Sequence, residues 1–308
     1  MIEVAGLTKH FGKTRAVHGL TFQVRPGVVT GFLGPNGAGK TTTMRLILGL
    51  DRPTSGTATV NGMPYGRLTA PLTQVGAMLE ARGVHGGRTP KAHLLALAQS
   101  NGIPRRRVGE VLELTGLSSV AGKRIKGFSL GMSQRLGIAA ALLGDPKVLM
   151  FDEPINGLDP EGIRWMRTLL RGFAAQGRTV LVSSHIMSEM EGLADHLIVI
   201  GRGELVADTT TKDLIEHNAR AYVRVRTPEA ARLSAVLTAE GAQVAVAEGE
   251  VRVTALAIER IAELAAREGV PVHELAPQRA SLETAFMDLT AVDVEFSSTN
   301  VNDREGTR

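Results

Sequence analysis

Three features of the sequence predict an α/β fold with a mostly parallel sheet and a helical subdomain, followed by a small α+β domain of ferredoxin-like order. Strands alternate with helices across residues 1–215, a glycine-rich loop lies between a buried strand and a helix, and a βαββαβ order runs over 220–278. The 308 residues suffice for one large domain plus a smaller one, and 43% hydrophobic residues allow a sizeable core.

The elements read in chain order as follows. Short strands are expected at 2–4, 20–24 and 28–33, the last being the compact apolar Val28-Val29-Thr30-Gly31-Phe32-Leu33. Residues 41–50 carry a helical pattern, with Met44, Leu46, Leu48 and Leu50 among good helix formers. Further strands fit 57–60 and 75–80. From about 85 to 143 the character becomes helical, with helices at 89–100, 105–115 and 131–143, punctuated by Pro104 and by Gly144-Asp145-Pro146. Alternation resumes with strands at 148–152, 179–183 and 197–200 and a helix at 160–175, which argues for a parallel sheet with helices on its faces. The segment from 216 to 290 forms a separate accessory domain. Val223 and Val225, Val244 and Val246, and Val251 and Val253 alternate as strands, and a last strand falls at 272–275. Ala230, Leu233 and Leu237 mark one helix face, and Ile258, Ile261 and Leu264 another. Residues 281–289 read as a closing helix, and 291–308 as a polar, disordered tail.

Composition narrows the function classes. With no cysteine, disulfides and thiolate metal sites are excluded. The opening MIEVAGLTKHFGK lacks the apolar stretch of a secretory signal, and no uninterrupted apolar run approaches the roughly 18 residues that span a bilayer. The expectation is a chain soluble by itself, whose membrane role needs a partner. Net charge is +4. Arg105-Arg106-Arg107 and Lys123-Arg124 read as solvated faces or turns. Aromatic residues, at 4%, do not interleave with these clusters, so stacking on nucleic acid gains little support.

Two motifs carry chemistry together. Gly34-Pro35-Asn36-Gly37-Ala38-Gly39-Lys40-Thr41 fits the phosphate-loop pattern and lies between a buried strand and a helix, with Thr42 following. Glycines let backbone N–H groups turn onto phosphate oxygens, and the helix start adds further N–H donors. Lys40 is expected at the β/γ phosphates of ATP and the Thr41 hydroxyl on Mg²⁺. The apolar strand Val148-Leu149-Met150-Phe151 ends in Asp152-Glu153, at the strand tip where a parallel sheet presents ligands. Asp152 suits Mg²⁺ and Glu153 suits a general base for the attacking water. A third segment, Phe128-Ser129-Leu130-Gly131-Met132-Ser133-Gln134-Arg135, opens a helix; alone it reads as a simple N-cap.

The order of phosphate loop, Ser129-Leu130-Gly131-Met132-Ser133-Gln134, Asp152-Glu153, Gly157-Leu158-Asp159 and Ser184-His185 resembles the ATP-binding subunits of ABC transporters over residues 1 to about 215. The resemblance implies an ABC ATPase fold and assigns 128–132 as the signature loop, with Leu130 and Met132 departing from the usual Leu-Ser-Gly-Gly-Gln. It places Ser129 and Gly131 against the γ-phosphate held by a second ATPase copy. Asp159 falls in the loop linking the two sites, and His185 is the switch histidine at the γ-phosphate. Phe11 stands where the family stacks an aromatic on adenine, the other reading being a core phenylalanine. Glu80 stands where the family has a glutamine at Mg²⁺. The end of the chain, Ser281-Leu282-Glu283-Thr284-Ala285-Phe286-Met287-Asp288-Leu289, is similar to ATPase subunits of daunorubicin- and bacitracin-type exporters.

The function so implied is ATP hydrolysis coupled to transport, with Glu153, His185 and Lys40 catalytic. The partners implied are a separate transmembrane permease and a second ATP-binding subunit, an identical copy in the simplest case. The transported compound, a drug, antibiotic or other hydrophobic molecule, contacts the permease. Nucleic acid is not an expected partner, and the chain belongs at the cytoplasmic face of the membrane through the permease. The alternative is a soluble ABC ATPase acting on ribosomes or DNA, against which stand the single phosphate loop and the lack of sustained heptads. For the accessory domain, regulation, dimer support and permease contact all remain open.

Overall fold

The computed structural model describes residues 1–80, 83–218, 222–247, 250–278 and 282–283. The chain divides into two units, Met1–Thr211 and Lys212–Arg308.

In the first unit, β1 (Ile2–Phe11), β2 (Thr14–Val24) and β4 (Ser55–Val60) form an antiparallel sheet in the order β2-β1-β4. The second sheet has the order β5-β6-β7-β3-β8-β9, from β5 (Val75–Met78), β6 (Val148–Phe151), β7 (Thr179–Ser184), β3 (Val29–Leu33), β8 (His196–Gly201) and β9 (Glu204–Thr210). Its first five strands are parallel and β9 is antiparallel to β8. Every residue of β3 and β6 is buried, which is why β6 reads as an unbroken apolar run and β3 as a compact apolar segment around the buried Thr30. The parallel-sheet expectation therefore holds for the core, while β1, β2 and β4 form a separate antiparallel layer. β1 extends well past residue 4; bulges between Val4 and Leu7 and between Leu7 and Lys9 break the alternation that would have shown its full length. β9 was not expected: only partial burial alternates along it, and the turn at Arg202 and Gly203, both at positive φ, folds it back on β8.

Helix α1 (Lys40–Ile47) follows β3 directly. Between β5 and β6 lie α2 (Pro90–Ser100), α3 (Arg106–Leu114) and α4 (Leu130–Leu142). Thr89 caps α2 by accepting from the Ala92 N–H, with Pro90 in the first turn. α5 (Pro160–Ala175) separates β6 from β7, and the five-residue α6 (Met187–Glu191) separates β7 from β8. α6 was not expected, being too short to show a period. α4 packs tightly against β5. A Cβ added at Gly76 would lie 2.0 Å from the Ala141 carbonyl oxygen. Because that oxygen is backbone, the helix itself has to move. Gly76→Ala is expected to cost about 3 kcal/mol, read as a lower urea midpoint with an unchanged slope; an unchanged midpoint would show that the α4–β5 contact yields freely.

α7 (Thr211–Asn218) leads into the second unit, which follows the expected βαββαβ order: β10 (Tyr222–Arg226), α8 (Ala230–Ala239), β11 (Gln243–Ala247), β12 (Glu250–Thr254), α9 (Ile258–Arg267) and β13 (Glu274–Gln278). The antiparallel sheet order β11-β12-β10-β13 is the ferredoxin-like one. Val223, Val225, Val251 and Val253 point into a core with Leu233, Leu237, Ile261 and Leu264. Val246 is 55% exposed, because β11 is an edge strand. β13 begins two residues later than expected and contains Pro277, which an edge strand tolerates. The closing helix expected over 281–289 lies outside the described residues except for Leu282 and Glu283, and the tail from 291 lies wholly outside them.

Candidate functional site

The parallel sheet ends its central strands at one edge, and the candidate residues gather there. β3 runs into the loop 34–39, and α1 begins at Lys40. Gly39 has φ 102, and a Cβ there would lie 2.5 Å from the Ala16 carbonyl oxygen. Conformation and close approach both restrict this position to glycine. A cleft of about 250 Å³ is lined by Ala16, Asn36, Gly37, Gly39, Lys40, Thr41, Thr42 and Glu153. Of the loop's remaining residues, Gly34 and Ala38 are buried and Pro35 is exposed.

Lys40 is only 6% exposed, and its ammonium donates to the carbonyls of Gly34 at 2.7 Å and Pro35 at 3.2 Å. It lies 3.7 Å from Glu153 Oε1. The Thr41 hydroxyl donates to Asp152 Oδ2 at 2.5 Å, and Ser183 donates to the other oxygen of the same carboxylate. A hydroxyl beside a buried carboxylate is a hard-oxygen pair, the chemistry that Mg²⁺ prefers. Asp152 N–H donates to the Met78 carbonyl, so pairing of β5 with β6 fixes where the carboxylate stands.

Glu153 is the second residue past the end of β6, after Asp152, and adopts φ 49, left-handed backbone that a non-glycine residue seldom takes. Its N–H donates to Ser183 Oγ at 2.9 Å, and its carbonyl accepts from Gln134 Nε2 at 3.3 Å. Its carboxylate meets His185 Nδ1 at 2.8 Å and Asn156 Nδ2 at 3.4 Å. His185, at the end of β7, is thus brought onto Glu153 across 32 residues of chain. The segment after His185 is held by the buried Ser184 hydroxyl, which accepts from the Ile186 N–H and donates to Glu189, both at 2.9 Å. Burial pushes the Glu189 carboxyl above the usual carboxylate range.

The remaining expected residues lie apart from this cluster. Ser129 caps α4 by accepting from the Met132 N–H at 3.2 Å. Asp159 caps α5 by accepting from the Gly162 N–H at 2.8 Å. Gly131 packs against the 157–158 turn, a Cβ there falling 3.1 Å from the Gly157 carbonyl oxygen. Phe11 is half exposed at the end of β1, under the Lys9 ammonium at 4.8 Å from its ring centre, and is outside the core. It does not line the cleft, but the hairpin it opens leads to Ala16, which does. Glu80 stands exposed two residues past β5, with no hydrogen bond or ion pair to Thr41 or Asp152 among the described residues. No three acidic or histidine side chains among the described residues converge as a ready metal cluster. Ser183, Gln134 and Asn156 had no assigned role in the sequence. Ser183 adjoins the noted Ser184-His185 pair, and Gln134 was part of the noted 128–135 segment, so residue type alone marked the neighbourhood but not the partner.

The family described as ABC transporter matches residues 17–156, and a domain of unknown function, DUF8746, matches residues 221–283. The chain is 42% identical over 223 residues to the bacitracin transport ATP-binding protein BcrA of Bacillus licheniformis, covering 71% of this chain and 73% of that one. It is 34% identical over 299 residues to the uncharacterized ABC transporter ATP-binding protein YhcH of Bacillus subtilis, covering 94% and 96%. Among solved structures, an ATP-binding subunit of an ABC transporter aligns with TM-score 0.64 and 28% identity, over 70% of this chain and 92% of that one. The ATP-binding cassette MJ0796, solved as a dimer bound to ADP and Pi, shares the fold with TM-score 0.60 and 22% identity, over 68% and 98%.

Proposed function

The chain belongs to the ABC transporter family as an ATP-hydrolysing subunit, and from that premise we propose that two copies bind MgATP between them and power a separate permease that exports an antibiotic or similar hydrophobic compound. The observation that carries the site's reading is the Glu153 carboxylate, which faces both His185 and Lys40 at the mouth of the phosphate loop.

The loop N–H groups and the start of α1 bind the phosphates, and Lys40 supplies the positive charge of the cleft. Thr41 and Asp152 would hold Mg²⁺, and Glu80 is a further carboxylate that would serve the same metal. Bound with the nucleotide, the metal neutralises charge on the β and γ phosphates. Glu153 takes a proton from the water that attacks the γ-phosphorus, and ADP and inorganic phosphate leave. His185 holds the carboxylate in place and meets the γ-phosphate. Phe11, half exposed, offers its ring to adenine. Ser129 and Gly131 present α4's first turn to the nucleotide of the second copy, and Asp159 lies in the loop between the two sites.

No helix among the described residues is long and apolar enough to cross a membrane, so the permease is a separate chain in this reading. The relatives named for bacitracin transport and, in Streptococcus pyogenes, lantibiotic transport support an antibiotic cargo. They favour transport over action on ribosomes or DNA. The test is co-expression of the full chain with its permease in a bacitracin-sensitive host. Resistance should rise with the native chain and vanish with Glu153→Gln. Isolation of the chain on ribosomes or DNA, with no membrane partner and no resistance, would overturn the reading.

A further inference from the structure

Glu153 occupies a backbone conformation that its own chain does not favour, with φ 49. Neither polar group of its backbone is bonded within a strand or helix. Its N–H donates to the Ser183 hydroxyl, and its carbonyl accepts from the Gln134 side chain and, within the turn, from the Asn156 N–H, both at 3.3 Å. Gln134 lies on α4, between one and two turns beyond Ser129, and is 5% exposed. Its Nε2 also donates to the Asn156 carbonyl at 3.1 Å, so one amide spans both ends of the 153–156 turn. Both targets are carbonyl oxygens, so only the NH₂ of the side chain can face them. The Gln134 Oε1 is buried and meets no hydrogen-bond donor among the described residues. Both donated bonds go to the turn that presents Glu153.

We propose that Gln134 is a positioning residue for ATP hydrolysis, which fastens the left-handed turn at Glu153 to the helix that begins at Ser129. The inference rests on the reading of Glu153 as the base. Gln134 does not line the phosphate-loop cleft; it acts through the backbone of residues 153–156. Movement of α4 then moves the base, which ties the carboxylate to the helix that presents Ser129 and Gly131.

Gln134→Glu places a carboxylate against two carbonyls, and Gln134→Met keeps the volume while removing the donors. For the full chain, either substitution is expected to lower kcat by about 10- to 100-fold, the scale of a misplaced catalytic group. KM for MgATP should stay within about 2-fold, since the phosphate loop is not touched. The deciding measurement repeats both substitutions in a Glu153→Gln background, following residual release of labelled phosphate. If Gln134 acts through Glu153, the residual rate does not fall further. Equal losses in the two backgrounds, or a kcat unchanged by both single substitutions, would overturn the proposal while leaving the base assignment intact. Full turnover by Glu153→Gln alone would remove the base assignment and this inference with it. Gln134→Met is read by the same measures if Gln134→Glu does not fold.

Discussion

Glu153→Gln is expected to bind MgATP as the native chain does and to hydrolyse it about 100- to 10,000-fold more slowly, the range that a positioned general base supplies. The amide keeps the size of the carboxylate and can still meet His185 Nδ1 and Asn156 Nδ2, which lie 2.8 and 3.4 Å from Glu153 Oε2. The backbone bonds to Ser183 and Gln134 do not involve the side chain, so the turn has no reason to open. The binding cradle, residues 34–42, is left unaltered. Binding and chemistry should therefore separate: affinity by calorimetry stays level while phosphate release collapses. Loss of binding together with turnover would mean that Glu153 serves the site through Lys40, 3.7 Å away, rather than through water. Retained turnover would move the base elsewhere, and His185 is the group then placed to be tested.

What the sequence makes legible is what is local. Gly34 to Thr41 declares itself because the turn, the strand before it and the helix behind it are contiguous, and a phosphate cradle is made of contiguous backbone. The strand ending in Asp152-Glu153 is legible for a similar reason, since full burial leaves an unbroken apolar run. The alternating valines at 223, 225, 251 and 253 are equally local, and the order of the second unit follows from them. Pairing across distance is not legible. β4 joins β1 from some fifty residues away, and nothing in either strand names its partner. Short or irregular pieces also escape. α6 is too brief for a period, and the bulges in β1 scramble the alternation that would have extended it. The contacts that fix Glu153 combine both difficulties. Ser183 and Gln134 are ordinary residue types whose meaning lies in a partner 30 and 19 residues distant. The resemblance to a family named His185 at once, whereas its geometry against Glu153 could come only from the folded sheet.

Lys40→Ala should weaken ATP binding about 100-fold, close to 3 kcal/mol, the upper end for hydrogen bonds made by a charged group. Among the residues lining the cleft at 34–42, Lys40 carries the only positive charge and Glu153 the only negative one. Lys40 is 6% exposed, so its charge is poorly screened by solvent, and its influence on an entering triphosphate is correspondingly large. Truncation removes that charge and leaves the Glu153 carboxylate facing the phosphates without its neighbour at 3.7 Å. The two effects have the same sign, which is why this change is expected to act on binding where Glu153→Gln acts on chemistry. Lys40→Arg tests whether charge alone suffices. A guanidinium is bulkier and planar, and the Gly34 and Pro35 carbonyls hold the lysine at 2.7 and 3.2 Å in a pocket shaped for one nitrogen. Arginine should therefore recover little of the lost affinity. Titration of each full-length variant with a fluorescent ATP analogue measures the effect. Native affinity in Lys40→Ala would place the triphosphate somewhere other than the loop between β3 and α1.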